Sequence, residues 1–199
     1  MAAIHIGDYH NSQGGATGGG LTLLLTGAPT IATGTGLINT LYAYWYSYLA
    51  DTVYFGIFYL VSGTTYTCRS AANFAIGGSG LRSYVSNLQV NAGDFLGIYF
   101  AAGTSQLCWG TYGAGYSYRT VSSYNACVAG NTTNFPQSGT SRGSLDGTGV
   151  TPSFIPAYNT GGILAGKRLA RGMGWFERLD GLVVPRGGVL VPSLNGGSN

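Results

Sequence analysis

Short runs of Tyr, Val, Ile, Phe and Thr, each interrupted by Gly, Asn or Ser, dominate the first 159 residues of this chain. No segment before residue 160 repeats apolar residues at helical spacing over three turns. Turn residues that separate short β-prone stretches are typical of antiparallel sheets. The pattern therefore predicts an all-β fold, an antiparallel β-sandwich of the jelly-roll kind.

The predicted organisation has two parts. Residues 1–159 form the β-sandwich domain, with core strands between 35 and 128 and a long polar surface loop at 129–150. Residues 160–199 form an extended, basic, Gly-rich C-terminal arm. The strands are expected near 21–25, 37–48, 53–61, 64–70, 82–90, 94–101, 106–112, 116–122 and 124–128, with a hairpin turn at Ser62-Gly63.

The chain is poor in charge. Charged residues make up 8% of it, against roughly 25% in an average soluble domain. A soluble monomer normally carries a charged surface, so a surface this neutral is expected to be covered by neighbouring molecules. The alternative is a secreted domain whose surface is rich in Ser, Thr, Asn and Gly.

The net charge of +3 lies in the arm. Residues 1–159 contain four Arg and four Asp, whereas residues 160–199 contain five cations and two anions. Such asymmetry can indicate an acidic partner or nucleic acid. The five cations are few and interrupted by Gly, so nucleic acid is not favoured as a partner.

The arm contains two similar β-prone pieces, each ended by Pro. Their apolar residues are the candidate assembly residues: Leu182, Val183 and Val184 in the first piece, and Val189, Leu190 and Val191 in the second. Proline cannot donate to a sheet ladder, so such pieces suit sheet edges. We expect them to add as strands to a neighbouring copy.

A tyrosine stripe marks the strand expected at 37–48. Tyr42, Tyr44, Tyr46 and Tyr48 share one face, and Leu41, Ala43, Trp45 and Leu49 share the other. Both faces are largely apolar, as in a strand that is covered on both sides. Tyrosine is common in subunit interfaces, but the stripe also suits a stacking platform for sugars or an ordinary half-exposed sheet face.

A second aromatic group alternates with glycines. Trp109, Tyr112 and Tyr116 are further candidates for an interface or a glycan contact, although tight β packing is the favoured explanation for this group. If the chain binds glycans, substitution of Trp45 or Trp109 is expected to abolish binding.

Catalytic and metal-binding patterns are weak. Gly139-Thr140-Ser141-Arg142-Gly143 matches G-x-S-x-G, but a polar loop precedes it and both histidines lie upstream. His5, Asp8 and His10 could meet only across a turn, so no metal site is assigned. Asp51 and Asp94 are the one carboxylate pair considered for glycoside hydrolysis, and nothing in the sequence joins them. We therefore expect no enzyme activity and no cofactor.

The cysteines and the amino terminus bear on whether the chain is expected to form disulfides, to be secreted or to span a membrane. Cys68, Cys108 and Cys127 are odd in number and widely spaced, which favours free, buried thiols. The start MAAIHIGDYH has no cationic region and no long apolar run, so no secretory signal is predicted. No apolar run is long enough to span a membrane.

The stretch from Leu88 to Phe100 carries a family resemblance. Its pattern L-x-V-x-x-G-D resembles the turn and strand of C1q/TNF-like jelly rolls, and it is similar to β-sandwich structural proteins of tailed phages and related viruses. The resemblance covers residues 35–125. It implies a jelly roll, often trimeric, used for assembly or ligand contact. The basic arm departs from the C1q/TNF pattern and favours a tail that ties copies together.

These observations lead to one leading expectation. The chain is expected to be a structural subunit of a virion or filament, such as a capsid, decoration or tail component, made in a cytoplasm without a signal peptide. Its expected partners are other copies of itself and other structural proteins. The alternative is a carbohydrate-binding or host-adhesion module that contacts a glycan.

Overall fold

The computed structural model describes residues 2–8, 15–103, 105–118, 124–152, 176–179, 182–185 and 191–192. The chain divides into two compact units, Met1–Pro152 and Ser153–Asn199. The predicted boundary between residues 159 and 160 falls among residues 153–175, outside the described part of the chain. Apart from one short 3-10 helix at Ala28–Thr30, the described elements are strands.

Twelve strands are described in the first unit. They are β1 (Ala3–Gly7), β2 (Gly15–Gly18), β3 (Thr22–Leu25), β4 (Gly36–Ser47), β5 (Thr52–Ser62), β6 (Thr65–Ala75), β7 (Gly80–Val90), β8 (Phe95–Phe100), β9 (Gln106–Tyr118), β10 (Thr132–Asn134), β11 (Gln137–Gly143) and β12 (Leu145–Val150). All described strand pairs are antiparallel, and the prediction of an all-β sandwich is confirmed.

Eight of these strands form two packed sheets. One sheet has the order β1-β12-β4-β7 and the other has the order β3-β8-β5-β6. Strands that follow one another in the sequence mostly lie in different sheets, so the strands of each sheet are not in sequence order. This is the strand order of the double Greek key in a jelly roll. Strand β9 joins the sheets, because its first residues pair with β2 and β4 and its last residues pair with β3.

The main core lies between the two sheets. Successive side chains of a strand point to opposite faces, so every second residue faces inward. The fully buried inward residues include the following large side chains: Ile4, Ile6, Ile38, Leu41, Trp45, Phe55, Ile57, Leu96, Ile98 and Phe100. Burying this much apolar surface, at roughly 25 cal/mol per Å², is what drives the two sheets together.

The prediction of a long surface loop at 129–150 is wrong. Strands β10, β11 and β12 occupy most of it, and β12 lies between β1 and β4 with Leu145 fully buried. The apolar content of β12 is low because two of its positions are glycines, and close packing against the neighbouring strands requires glycine there. A Cβ atom at Gly149 would lie 1.9 Å from the Leu37 carbonyl oxygen, and one at Gly147 would lie 2.9 Å from the Ile6 side chain.

Other boundaries also differ from the sequence expectations. The break expected between 112 and 116 is absent, because β9 runs continuously from Gln106 to Tyr118, and residues 119–122 of the second expected strand lie outside the described residues. Residues 124–127 are irregular rather than a strand. Strands β1 and β2 were not expected. The hairpin between β5 and β6 turns at Gly63, where φ is +53°, close to the predicted turn.

The second unit contains a three-stranded antiparallel sheet. Its strands are β13 (Phe176–Leu179), β14 (Leu182–Pro185) and β15 (Val191–Pro192), in the order β13-β14-β15. The candidate assembly residues Leu182, Val183 and Val184 lie in β14, and Val191 lies in β15. Val189 and Leu190 lie outside the described residues. Because β14 pairs on both sides, β13 and β15 are the edges of this sheet.

Candidate functional site

The tyrosine stripe lies on the outer face of the sheet β1-β12-β4-β7. Tyr42 and Tyr44 are half-buried there, and Tyr46 is 62% exposed. The register places Tyr44 opposite Leu81 and Thr40 opposite Val85, which is 87% exposed. We call this surface the open face, defined by Tyr42, Tyr44, Tyr46, Leu81 and Val85.

Sequence reasoning missed the contribution of β7 to the open face. Leu81 and Val85 share one parity, whereas the buried residues Tyr84, Leu88 and Val90 share the other. This alternation was the available signal.

The expectation that both faces of β4 are covered is wrong within this chain. The strand ends at Ser47, and both Tyr48 and Leu49 follow it in the connection to β5. Tyr48 and Leu49 are exposed, so Leu49 does not continue the buried row of Leu41, Ala43 and Trp45. A short connection between sheets has to turn, and the two-residue periodicity of the strand stops there.

Trp45 is a core residue and has no exposed surface. Its indole Nε1 donates a 2.9 Å hydrogen bond to the hydroxyl oxygen of Tyr84, and its ring meets Phe100 edge to face at 5.0 Å. The Tyr84 hydroxyl in turn donates to the carbonyl oxygen of Ile76, and burial raises the pKa of Tyr84. Trp45 therefore cannot stack on a sugar, contrary to the glycan interpretation.

The outer face of the other sheet, β3-β8-β5-β6, differs sharply because the chain covers it. We call it the covered face. Phe58 lies at its centre, and Cβ atoms placed on the paired residues Gly56 and Gly97 would each lie 2.6 Å from its ring. Phe135 meets Phe58 edge to face at 5.7 Å and is fully buried. A second, smaller core results.

Polar contacts fasten the covering segment, residues 124–135, to this face. The Thr22 hydroxyl donates to the Tyr124 carbonyl oxygen at 3.0 Å and accepts from the Ala126 amide at 2.9 Å. Further along, backbone hydrogen bonds join Cys68 to Gly130 and Asn131. The backbone of the segment is thus satisfied by the sheet it covers, as buried polar groups require.

Two buried thiols belong to this second core. Burial raises the pKa of the Cys68 thiol to about 12, and burial also raises the pKa of Cys127, with a further contribution from Cys68. Cys68, Cys108 and Cys127 are all free and buried, in agreement with the expectation from their spacing. Thiols in such surroundings are weak nucleophiles, because the thiolate is the reactive form.

The second aromatic group is only partly described. Trp109 is half-buried against the main core, and it pairs with Gly15 on β2 and Gly143 on β11. The backbone of Tyr112 and Tyr116 lies in β9, but their side chains are outside the described part of the structure.

The hairpin between β5 and β6 carries an apolar tip that the sequence analysis did not single out. Tyr59, Leu60 and Val61 are exposed in succession. The guanidinium carbon of Arg69 lies 4.7 Å from the centre of the Tyr59 ring. Three consecutive exposed apolar residues at a strand end were the signal for this surface.

The Gly-Asp turn of the family resemblance has a structural role. Gly93 has a φ of +89°, which favours glycine, and the Asp94 carboxylate accepts the Asn91 amide at 2.8 Å. Asp94 also receives two hydrogen bonds from Arg69, at 2.6 and 3.2 Å. Those bonds raise the pKa of Arg69. The pair fixes the start of β8 against β6.

Asp51 and Asp94 do not form a catalytic pair. Val53 is opposite Phe100, and Phe58 is opposite Phe95, so the two aspartates lie at opposite ends of the β5–β8 ladder. Seven residue steps at ~3.4 Å, from Ala101 beside Asp51 to Asp94, separate them by about 24 Å. Glycosidases hold their carboxylates within about 10 Å. The Asp51 carboxylate instead accepts the amides of Thr52 and Ala101.

The amino-terminal cluster is a structural contact in its described part. His5 Nε2 lies 2.9 Å from Oδ1 of Asp146, a buried residue on the neighbouring strand β12. Asp8 follows β1, and its amide donates to the carbonyl oxygen of Leu145. His10 is outside the described residues. Among the residues that are described, no three His, Cys, Asp or Glu side chains come together as metal ligands.

The G-x-S-x-G match lies in a strand. Residues 139–143 belong to β11, and β12 begins at Leu145, directly after Ser144. A nucleophile elbow requires a helix after the serine, and a strand follows here.

In the part of the chain that the structure describes, no helix has the length and hydropathy needed to cross a membrane. Comparison with known protein families, curated proteins and solved structures found no match to this chain.

Proposed function

We propose that this chain is a structural subunit of a virion or filament that self-assembles through its open face and through the arm of residues 160–199. Capsid, decoration and tail components are the kinds of subunit that fit this proposal. The partners are other copies of the chain and further structural proteins of the same particle. Assembly then takes place after synthesis in a cytoplasm.

The observation that carries the proposal is the state of the open face. Its side chains are large and apolar, yet Tyr46 and Val85 are 62% and 87% exposed. Contiguous exposed apolar surface on a folded domain marks an interaction site. Tyrosine suits such a site, because its ring is apolar and its hydroxyl tolerates water before assembly.

Composition and fold support the same proposal. Only 8% of the residues are charged, so water alone is a poor environment for much of this surface. The jelly roll is a fold used by viral capsid domains and by lectins. The described carboxylates Asp51 and Asp94 fasten turns, as expected for a scaffold.

The mass of the purified full chain tests the proposal. Light scattering and electron microscopy are expected to show a defined assembly well above the 20.6 kDa of one copy. Deletion of residues 160–199 is expected to leave a folded sandwich that no longer assembles. A full chain that remains a single copy at high concentration would contradict the proposal, and native assembly by the deleted chain would remove the role of the arm.

A carbohydrate-binding or host-adhesion module is the second candidate function. The half-exposed tyrosines Tyr42, Tyr44 and Tyr46 lie in a row on a sheet face, an arrangement on which sugar rings can stack. Glycan binding by a single copy, reduced by Tyr44→Ala or Trp109→Ala, would favour this candidate. Loss of assembly without glycan binding in the same variants would favour the structural subunit.

A further inference from the structure

Two exposed apolar patches lie at opposite ends of the sandwich. The base patch consists of Tyr46, Tyr48, Leu49 and Leu81, and the tip patch consists of Tyr59, Leu60 and Val61. Strand β5 runs between them, because it begins at Thr52, just after the base patch, and ends at Ser62, in the tip. Ten residue steps at ~3.4 Å place the ends about 34 Å apart.

The base patch combines the end of β4 with the start of β7. Leu81 lies opposite Tyr44, and Trp45 lies opposite Gly80, so Tyr46 and Leu49 extend the same end of the sheet. Nearby charged groups are engaged by their own chain. The Asp51 carboxylate accepts the Thr52 amide at 2.6 Å, and Arg82 donates to the Ser79 carbonyl oxygen at 2.8 Å.

The tip patch is likewise without net charge. Arg69 is the cation beside it, and its guanidinium is paired with Asp94 while it lies over the ring of Tyr59. Leu60 and Val61 project beyond this pair and are 48% and 53% exposed. Among the described residues, the tip therefore offers apolar contact, and the cation beside it is already paired with Asp94.

We infer that the tip patch of one copy packs against the base patch of the next, so that the copies stack head to tail along the direction of β5. This inference rests on the proposed function and names its contact. Two different patches on one molecule give a heterologous contact, which repeats into a filament or closes into a ring. A second copy is the occupant that fits both ends, because both patches are apolar and residues 1–159, which carry them, contain four Arg and four Asp, so the sandwich units of two copies carry no net charge against each other.

Three variants that each add one carboxylate test the contact. Leu60→Glu disables the tip, Leu49→Glu disables the base, and Ala129→Glu is the control at an exposed position of the covering segment, away from the open face. All three changes are on the surface, and circular dichroism with thermal melting checks that each variant is folded. If a Glu variant fails to fold, Leu60→Ser and Leu49→Ser replace the pair with the same measurements.

Light scattering after gel filtration gives the mass of each sample. A head-to-tail contact needs a working tip and a working base on different molecules. The tip variant alone and the base variant alone are therefore expected to be single copies. Their equimolar mixture is expected to form a dimer and nothing larger, because the remaining two ends of the dimer are both disabled. The Ala129→Glu control is expected to assemble like the unmodified chain.

Three results would overturn the inference. Assembly of either variant alone to the size of the unmodified chain would show that the ends do not contact each other. Dimerisation of one variant alone would indicate a contact between like patches. A mixture without dimers would show that each end binds something other than its opposite end. In all three cases an assembling unmodified chain leaves the proposed function standing, whereas a monomeric unmodified chain contradicts that function as well.

Discussion

The two outer faces of the sandwich differ in how their apolar side chains are protected from water. On the covered face, Phe58 is buried beneath residues 124–135, and the ring of Phe135 packs directly against it. The open face leaves Tyr46 and Val85 largely exposed. The covered face has features that its own chain needs for close packing, namely paired glycines beneath Phe58 and a threonine that anchors the covering backbone. The open face instead has tyrosines, which tolerate both water and a partner.

The largest expected effect is the loss of the side chain that seals the covered face. Phe135→Ala removes a fully buried ring and leaves a cavity, so the free energy of unfolding should fall by about 3–5 kcal/mol. Tyr46→Ala on the open face is the control and should cost less than about 1 kcal/mol in the unassembled chain. Denaturant titration followed by tryptophan fluorescence measures both. Equal losses would erase the distinction between the faces.

A smaller loss is expected from a methyl group added beneath Phe58. In Gly97→Ala the new Cβ would lie 2.6 Å from the Phe58 ring. Because that ring is enclosed and cannot move aside freely, the free energy of unfolding should fall by about 1–3 kcal/mol. Gly18→Ala is the matched control, because no atom lies within 4 Å of its new Cβ. Denaturation midpoints compare the two. A neutral Gly97→Ala would show that the covering segment yields easily.

Alkaline pH should weaken the covered face selectively. Burial raises the pKa of Cys68 from 9.0 in the unfolded chain to about 12 in the fold, so the folded state holds this proton more tightly. Its contribution to stability is complete below pH 9 and is lost as pH rises from 9 toward 12. Urea midpoints at pH 8 and pH 10 should therefore differ more in the unmodified chain than in Cys68→Ala. The same difference in both proteins would argue against this linkage.

The smallest effect is expected at the most exposed valine. Val85→Thr on the open face should change the free energy of unfolding by less than about 0.5 kcal/mol, because Val85 is 87% exposed. Val53→Thr makes the same substitution at a fully buried position and should cost about 1–3 kcal/mol, since the hydroxyl enters the main core. Thermal melting of both variants gives the comparison. A substantial loss in Val85→Thr would mean that the open face is covered after all.

The sequence predicted those parts of the fold in which side chains alternate between faces. Strand β4 was predicted within one residue at each end, because Leu41, Ala43 and Trp45 alternate with tyrosines. Strand β12 was missed because Gly147 and Gly149 take the places where apolar residues would signal a strand. Glycine is needed there for close backbone approach, which composition alone does not reveal.

The candidate site was only half predictable for a related reason. Both faces of β4 are apolar in the sequence, so periodicity located the tyrosine stripe without showing which face is covered. The covering segment has no periodicity long enough to predict it, since Ala126 and Cys127 lie on irregular backbone and Phe135 directly follows the three-residue strand β10. Contacts between distant parts of the chain decide which face is covered, and these do not appear in a local pattern.

Strand β9 has a mechanical consequence for the sandwich. One continuous strand pairs with β4 of one sheet and with β3 of the other, so the two sheets are joined through peptide backbone as well as through their apolar core. A pull on one sheet is shared through the peptide backbone of β9 with the other. Separation of the two sheets then requires the pairs of β9 with β3 and β4 to break in addition to the exposure of the main core.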